Sequence, residues 1–293
     1  MTKTAFVAIV GCPNVGKSSL LNKMLGQKVA IVSSKPQTTR TKIMGVLTHD
    51  EIQLVFTDTP GYHKPHNKLG EKMNQAVGDS IGGVDACLFV VEAKGDVKKG
   101  EKELLQKFKS LKVPVILAIN KIDMLSDKEE LLNRIVQFSK LYEAIVPVCA
   151  ATGEHVNEII DEMDKLAFDS PHFFPDDTLT DQPERVLAAE IIREKILRLM
   201  DKEVPHGIAV SIEKMRERDD KDILDIEATI YCERESHKGM VIGKKGAMLK
   251  KISTFARQDL ENFFQIKVNL QTWVKVKEDW RNREGLIHNF GLD

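Results

Sequence analysis

At 293 residues, with 42% hydrophobic and 30% charged side chains, the chain is long enough for two domains with their own cores and has an ordinary globular composition. No apolar run approaches the roughly 18 residues a membrane span needs, the N-terminus lacks a signal-peptide layout, and the four cysteines (Cys12, Cys87, Cys149, Cys232) are too scattered for a zinc site or a disulfide framework, so a reduced, cytoplasmic protein is expected. The formal net charge of -1 hides an asymmetry, because eleven basic residues stand against four acidic ones between 238 and 283, which points to one region that meets a polyanion.

In chain order, "AFVAIVG" at 5–11 predicts a strand that runs into the glycine loop "GCPNVGKS" at 11–18 and then a helix. "IMGVLTH" at 43–49 and "IQLVFTD" at 52–58 predict an edge hairpin. Three further strand runs follow, "ACLFVVE" at 86–92, "VPVILAIN" at 113–120 and "IVPVCA" at 145–150, with amphipathic stretches between them such as 128–143. Near-continuous Val/Ile/Leu strands separated by helices imply an α/β fold, a mainly parallel sheet with helices on both faces, over residues 1–168. The rhythm stops in "FDSPHFFPDDTLTDQPERV", whose prolines and aspartates read as an interdomain linker over 169–184, with "HFFP" expected to pack on something. A helix over 185–200 carries Ile192, Ile196 and Leu199 on one face. Two alternating strands (207–217 and 223–233), the sequence "VIGKKGAMLKKI" at 241–252, a helix to about 264 and a strand at 266–276 then make a smaller α+β domain over 185–293.

"GCPNVGKS" fits G-x-x-x-x-G-K-[ST] between a strand and a helix, a P-loop. The backbone of Gly11, Asn14, Val15 and Gly16 can wrap phosphates, Lys17 can reach the β- and γ-phosphate oxygens, Ser18 can ligate Mg²⁺, and Ser19 sits in the first helical turn, at its positive end. Kinases and ATPases share that loop, so two further stretches decide the base and the reaction. In "DTPG", Asp58 can hold Mg²⁺ through water, and Thr59 and Pro60 lead to Gly61, whose N–H can meet the γ-phosphate. In "NKID", Asp123 can accept both donors of the guanine edge, Asn120 can meet its acceptor side, and the stem of Lys121 can lie along the ring. All three motifs close predicted strands, the edge at which parallel sheets bind ligands. GTP or GDP with Mg²⁺ is therefore expected, with Lys17 and Gly61 as catalytic residues, a set that the family resemblance of these motifs extends to Thr39.

These motifs resemble the translation-factor-related branch of GTPases. The resemblance places a first switch loop at 33–42, where Thr38 and Thr39 compete to ligate Mg²⁺ and Thr39 is favoured, and a second switch at 62–75. It also exposes three departures. Tyr62 stands where many relatives carry a water-orienting Gln, so slow intrinsic hydrolysis is expected. Asn14 in the P-loop is associated in that branch with a bound monovalent cation, which implies K⁺ assistance. Cys149-Ala150-Ala151 replaces the usual Ser-Ala-x; the Ala150 N–H can still reach the guanine oxygen, but without the Ser hydroxyl a looser contact is expected. His63 and His66 form an H-x-x-H with no third metal ligand in view.

"GKKG" lacks the P-loop Lys-Ser and the dinucleotide third glycine, but it matches the G-x-x-G with which KH domains clamp about four single-stranded nucleotides. The element order fits a type II KH domain. Gly243 and Gly246 admit the backbone, Met240 and Ile242 offer apolar surface to bases, and Lys244, Lys245, Lys250 and Lys251 can meet phosphates. "QTTR", "HFFP", "EIIREKI", "MVIGKKG" and "WVKVKEDWR" together resemble the Era family of bacterial ribosome-assembly GTPases over essentially the whole chain. That resemblance implies binding of 16S rRNA near its 3′ end, action on the 30S subunit, no DNA, and a GTP state that controls RNA engagement. Two other readings stay open on sequence alone: an RNA-binding adaptor that uses GTP as a structural ligand, and a membrane-surface GTPase in peripheral association with anionic lipid.

Overall fold

Alternation of strands and helices in the first half produces one twisted sheet. The computed structural model describes residues 1–292 apart from 36, 63, 66, 112, 139–141, 202, 203 and 220. The chain groups into two units, one of Met1–Ala30, Thr39–Pro65 and Gly70–Asp181, the other of Ile31–Thr38, His66–Leu69 and Gln182–Asp293.

The elements of the first unit are β1 (Lys3–Val10), α1 (Lys17–Leu25), β2 (Ile43–His49), β3 (Ile52–Asp58), α2 (Lys68–Ile81), β4 (Ala86–Glu92), α3 (Lys99–Leu111), β5 (Val115–Asn120), α4 (Lys128–Phe138), β6 (Ala144–Val148), α5 (Val156–Asp164) and the short β7 (Phe168–Asp169); α2 begins in residues that group with the second unit. The sheet order is β2-β3-β1-β4-β5-β6, with β7 against the start of β1. All neighbours are parallel except the β2–β3 hairpin and β7. One face is covered by α1 and α5 through Leu20, Leu21, Ile159 and Met163, and the other by α2, α3 and α4 through Val77, Ile81, Leu104, Phe108 and Phe138. With both faces covered, the strands need no polar alternation, and β5 is buried along its whole length. Register sets Ile9 beside Asp58 and Glu92 beside Asn120, so the carboxyl ends of β1, β3, β4 and β5 open at one edge.

Residues 169–181 run along this first unit. The Phe173 ring meets Phe6 edge-on at 5.0 Å. The buried Gln53 side chain accepts the Phe173 and Phe174 N–H groups at 2.8 and 3.0 Å and donates to Phe174 O at 2.9 Å. Val46 donates to Leu179 O at 2.9 Å, which continues the contact along the β2 edge. A single buried amide thus satisfies three backbone groups of a segment that has no ladder of its own.

The second unit runs α6 (Glu184–Leu199), β8 (Ile208–Arg218), β9 (Lys221–Cys232), α7 (Glu235–Ile242), α8 (Ala247–Phe264), β10 (Lys267–Val276) and α9 (Glu284–Asn289). Its three-stranded sheet has the order β10-β9-β8, with β8/β9 antiparallel and β9/β10 parallel. Ile192 and Ile196 of α6 and Ile252, Ala256 and Leu260 of α8 share a core with Leu224, Ile226 and Ile230 of β9. The chain end closes over this unit: Trp280 is buried, donates Nε1–H to Gly207 O at 3.0 Å and meets Phe290 edge-on at 5.4 Å. Both tryptophans of the chain, Trp273 and Trp280, lie here. Truncating the buried Leu260 to Ala removes a core side chain at a typical cost of about 2–5 kcal/mol. The expected result is a lower urea midpoint of the tryptophan fluorescence transition, with an unchanged slope.

Candidate nucleotide site and nucleic-acid interface

After β1 the chain turns through 11–16 and enters α1. Gly16, the residue before the helix, has φ 101°, and a Cβ there would collide with the Asn120 side chain. Only glycine suits both the angle and the approach. Asn120, at the end of β5, uses this closeness: its Nδ2 donates to Val15 O at 2.8 Å while its Oδ1 accepts the Ala150 N–H at 2.9 Å. Lys121 donates from Nζ to Asn14 O at 2.7 Å and to Glu92 Oε1 at 2.5 Å. Burial works against the Glu92 charge, but hydrogen bonds from Lys121 and Lys98 outweigh it and hold the carboxyl below its ordinary range. Glu92 is a positioning group that the motifs do not announce; its one sequence signal is an acid closing an otherwise apolar strand.

Lys17 is buried and its ammonium donates to Gly11 O and Cys12 O at 3.2 and 3.1 Å. Desolvation pushes its pKa down, and the nearby Asp58 carboxylate opposes that shift. Asp58 itself is driven upward by burial, with Lys17, Ser18 and Thr39 acting against it. Three oxygens converge beside Lys17. Ser18 Oγ donates to Asp58 Oδ2 at 2.6 Å, and Thr39 Oγ1 stands 2.8 Å from Ser18 Oγ and 3.3 Å from Asp58 Oδ2. Asp58 Oδ1 is buried without a hydrogen-bond partner among the described residues. Two hydroxyls and one carboxylate with a bare oxygen make a hard-oxygen set that suits Mg²⁺. Thr38 is occupied elsewhere, donating to Lys35 O at 2.7 Å, so Thr39 is the threonine brought to the site.

Thr59 Oγ1 donates to Ile9 O at 2.8 Å, Pro60 is buried, and Gly61 packs on Pro13. The Tyr62 N–H donates to Gly11 O at 3.1 Å, and its half-buried ring lies under Lys107 Nζ at 4.9 Å. A ring held this way has no amide with which to orient a water. Asn14 and Ala151 are exposed and Ser19 is half-buried. His63 and His66 lie outside the described residues. Among the described residues no group of three His, Cys, Asp or Glu gathers to hold a metal, and no helix is long and apolar enough to cross a membrane.

On the base side, Asp123 is exposed at its β5 edge and the buried Cys149 thiol donates to its Oδ1 at 3.1 Å. The thiol thus stands as a hydrogen-bond donor to Asp123, and a weaker one than a hydroxyl.

In the second unit, α7 ends at Gly243, with φ 71°, where a Cβ would come within 2.8 Å of Met248 Cβ. Lys245 also has positive φ, and Gly246 leads directly into α8. Lys244, Lys245, Lys250 and Lys251 are exposed, as is Met240, while Ile242 is half-buried. Sequence spacing does not single out Phe255, which is 40% exposed one turn after Lys251, with the Lys251 ammonium 6.0 Å from its ring. Lysines around a tight loop, beside exposed Met and Phe, can meet phosphates and bases together.

Fold and site together define a P-loop GTPase unit joined to a KH unit. Residues 6–121 match the family described as 50S ribosome-binding GTPase, and residues 203–281 match the KH domain family. The GTPase Era of Clostridioides difficile is 50% identical over 100% of this chain and 99% of its own length, and that of Clostridium kluyveri is 47% identical over 99% of each. A crystal structure of Era in complex with MgGDPNP and nucleotides 1506–1542 of 16S ribosomal RNA superposes with a TM-score of 0.95 at 40% identity, over 100% of this chain and 99% of that one. A variant of Aquifex aeolicus Era bound to GDP·AlF4⁻ gives 0.94 at 40% identity over 99% of both chains. The chain belongs to the Era family of GTPases.

The Cys149 thiol carries a prediction. Cys149→Ala removes one hydrogen bond to Asp123, a loss of about 1 kcal/mol or roughly fivefold in GDP affinity. Cys149→Ser should restore or exceed the original affinity. Fluorescent-nucleotide titration reads both.

Proposed function

We propose that this chain binds and hydrolyses GTP at the P-loop edge and, through its KH unit, grips the single-stranded 3′ region of 16S rRNA during maturation of the 30S subunit in the cytoplasm. The observation that carries the enzymatic half is the meeting of Ser18, Thr39 and Asp58 beside a buried Lys17, with one Asp58 oxygen left bare. Bound there, Mg²⁺ would neutralise charge on the β- and γ-phosphates. Ser18 and Thr39 would hold it directly and Asp58 through water. The Lys17 ammonium would sit against the phosphate oxygens, with the Gly61 N–H turned to the γ-phosphate. Asp123, set by Cys149, and Asn120, fixed by Val15 and Ala150, would select guanine. Adenine would leave the Asp123 carboxylate without those two donors, which would penalise it.

Tyr62 offers no water-orienting group, so another source of transition-state charge is required. Asn14 supports K⁺ in that role: it sits exposed in the loop at φ 65°, with its backbone carbonyl held by Lys121. The expected outcome is faster GTP hydrolysis in K⁺ than in Na⁺ at equal ionic strength, lost in Asn14→Ala. Equal rates in the two salts would remove this part.

The RNA half is supported by the KH element order, the lysine loop and the RNA-bound relative. Nucleotide state and RNA affinity are then linked, and the linkage is reciprocal. Gly243→Asp/Gly246→Asp puts side chains at two positive-φ positions and adds negative charge beside four lysines. It should weaken binding of a 16S 3′-end RNA by about tenfold or more. GDP affinity should be unchanged, and filter binding with nucleotide titration reads both.

A further inference from the structure

Helix α6 holds three consecutive charged residues, Arg193, Glu194 and Lys195, at only 2%, 0% and 5% exposure. Charged side chains are almost never so buried unless they are paired. Successive helical residues point about 100° apart, so three of them in a row mean that α6 is covered on most of its circumference. Ile192 and Ile196 account for the apolar part of that cover. The polar part faces Ile31–Thr38, the segment that leads to Thr39 and groups with this unit.

The contacts are to backbone. Glu194 Oε1 accepts the Val32 N–H at 3.0 Å, and Arg198 donates Nε and Nη2 to Val32 O at 3.1 and 3.0 Å. Both polar groups of one residue are therefore caught by α6 side chains. Arg198 Nη2 also braces Glu194 Oε1 at 2.9 Å, and Lys195 Nζ meets Glu194 Oε2 at 2.9 Å. At the other end of the segment, Arg193 donates to Thr38 O and, at 3.5 Å, to Gln37 O. Glu190 squares that guanidinium through two hydrogen bonds of 2.7 and 2.6 Å. Thr38 is one peptide bond from Thr39, whose hydroxyl stands against Ser18 and Asp58. From the same stretch of helix, Lys195 reaches the Asp259 carboxylate on α8, the helix that follows the lysine loop.

We propose that Arg193, Glu194 and Arg198 are positioning residues for Thr39, and that α6 carries the placement of residues 32–38 to α8 and so to the RNA-binding loop. This rests on the coupling of nucleotide state to RNA affinity stated above. Buried ion pairs add little net stability compared with a well-packed apolar substitute. They do hold backbone groups in one place, which an apolar side chain cannot. In the proposed function, Thr39 would be held by the metal and the γ-phosphate only when GTP is bound. The clamp makes that displacement move, or be resisted by, α6.

The test uses the full chain and a 16S 3′-end RNA. RNA affinity is measured with GDP and with a non-hydrolysable GTP analogue, and the ratio of the two is compared across variants. The wild type should show a ratio within about 5–150-fold. Arg198 has a side chain 49% exposed, so Arg198→Gln should fold normally and shrink the ratio. Arg193→Gln should bring it near one and lower kcat for GTP, while GDP affinity stays unchanged because GDP has no γ-phosphate for Thr39 to sense. Arg193→Lys, which keeps the charge and one donor, should recover part of the ratio. A purely structural role would instead lower thermal stability and leave the ratio of the folded fraction intact. A wild-type ratio preserved in full by Arg198→Gln and Arg193→Gln would overturn this inference alone, and should Arg193→Gln fail to fold, Arg198→Gln decides by itself. A wild-type ratio of one would remove the coupling itself, and this inference with it.

Discussion

Ser18 has one hydroxyl proton, and it goes to Asp58 Oδ2 at 2.6 Å. The proton of Thr39 must then go to Ser18 Oγ at 2.8 Å or to Asp58 at 3.3 Å. Three chain segments are joined at this point: the start of α1, the loop before β2 and the end of β3. None is a sequence neighbour of the others. What brings them together is the parallel register of β1 and β3, which sets Ile9 opposite Asp58 and delivers the glycine loop and the carboxylate to the same edge. Lys17 and the two hydroxyls work against the cost of burying Asp58, and its second carboxylate oxygen is left bare. A displacement of Thr39 is felt at once by a carboxylate with few other partners.

The base side is tied to the phosphate side by one amide. Asn120 bonds Val15 in the P-loop and Ala150 in the loop after β6, and the neighbouring Lys121 bonds Asn14 and Glu92. The glycine loop and the chain at the ends of β5 and β6 are thus parts of one hydrogen-bonded framework. This explains why Gly16 tolerates no Cβ: the Asn120 side chain occupies the space one would need.

Much of this is legible in the sequence. The strands are continuous apolar runs because helices cover both faces, and the three nucleotide motifs each close such a run, so their convergence follows from topology. The glycine loop of the second unit is legible because two glycines and two lysines lie between helix-patterned stretches. Other features are not. "EIIREKI" shows isoleucines at helical spacing, and nothing in that pattern marks Arg193, Glu194 and Lys195 as buried. Only tertiary structure reveals that Arg193 and Glu194 meet backbone groups more than 150 residues earlier, which leave no periodicity in the sequence. Residues 169–181 have a linker's composition, but a single glutamine on β3, Gln53, supplies the hydrogen bonds that anchor their Phe-Phe pair. Cys149 reads as a lost hydroxyl because a thiol is seldom counted as a donor; its 3.1 Å contact with Asp123 depends on where β6 ends relative to β5. In each case pattern reveals elements and motifs, while the specific polar partner is set by which elements meet.

Two groups of charges in the second unit work under different physics. Lys244, Lys245, Lys250 and Lys251 are exposed, so their attraction to phosphates is long-ranged, screened by salt and indifferent to sequence. Arg193 and Glu194 are buried and directed at individual backbone atoms, so salt screens them little and geometry governs them. In the proposed function the first group would set how tightly a nucleic-acid backbone is held. The second is suited to reporting where one short segment lies. Separating the two would let ionic conditions alter RNA affinity without altering the response to nucleotide. An apolar α6 could hold the sheet equally well and would remove the buried charges. It would leave the Val32 and Thr38 backbone groups without partners, and nothing in α6 would then register the position of Thr39.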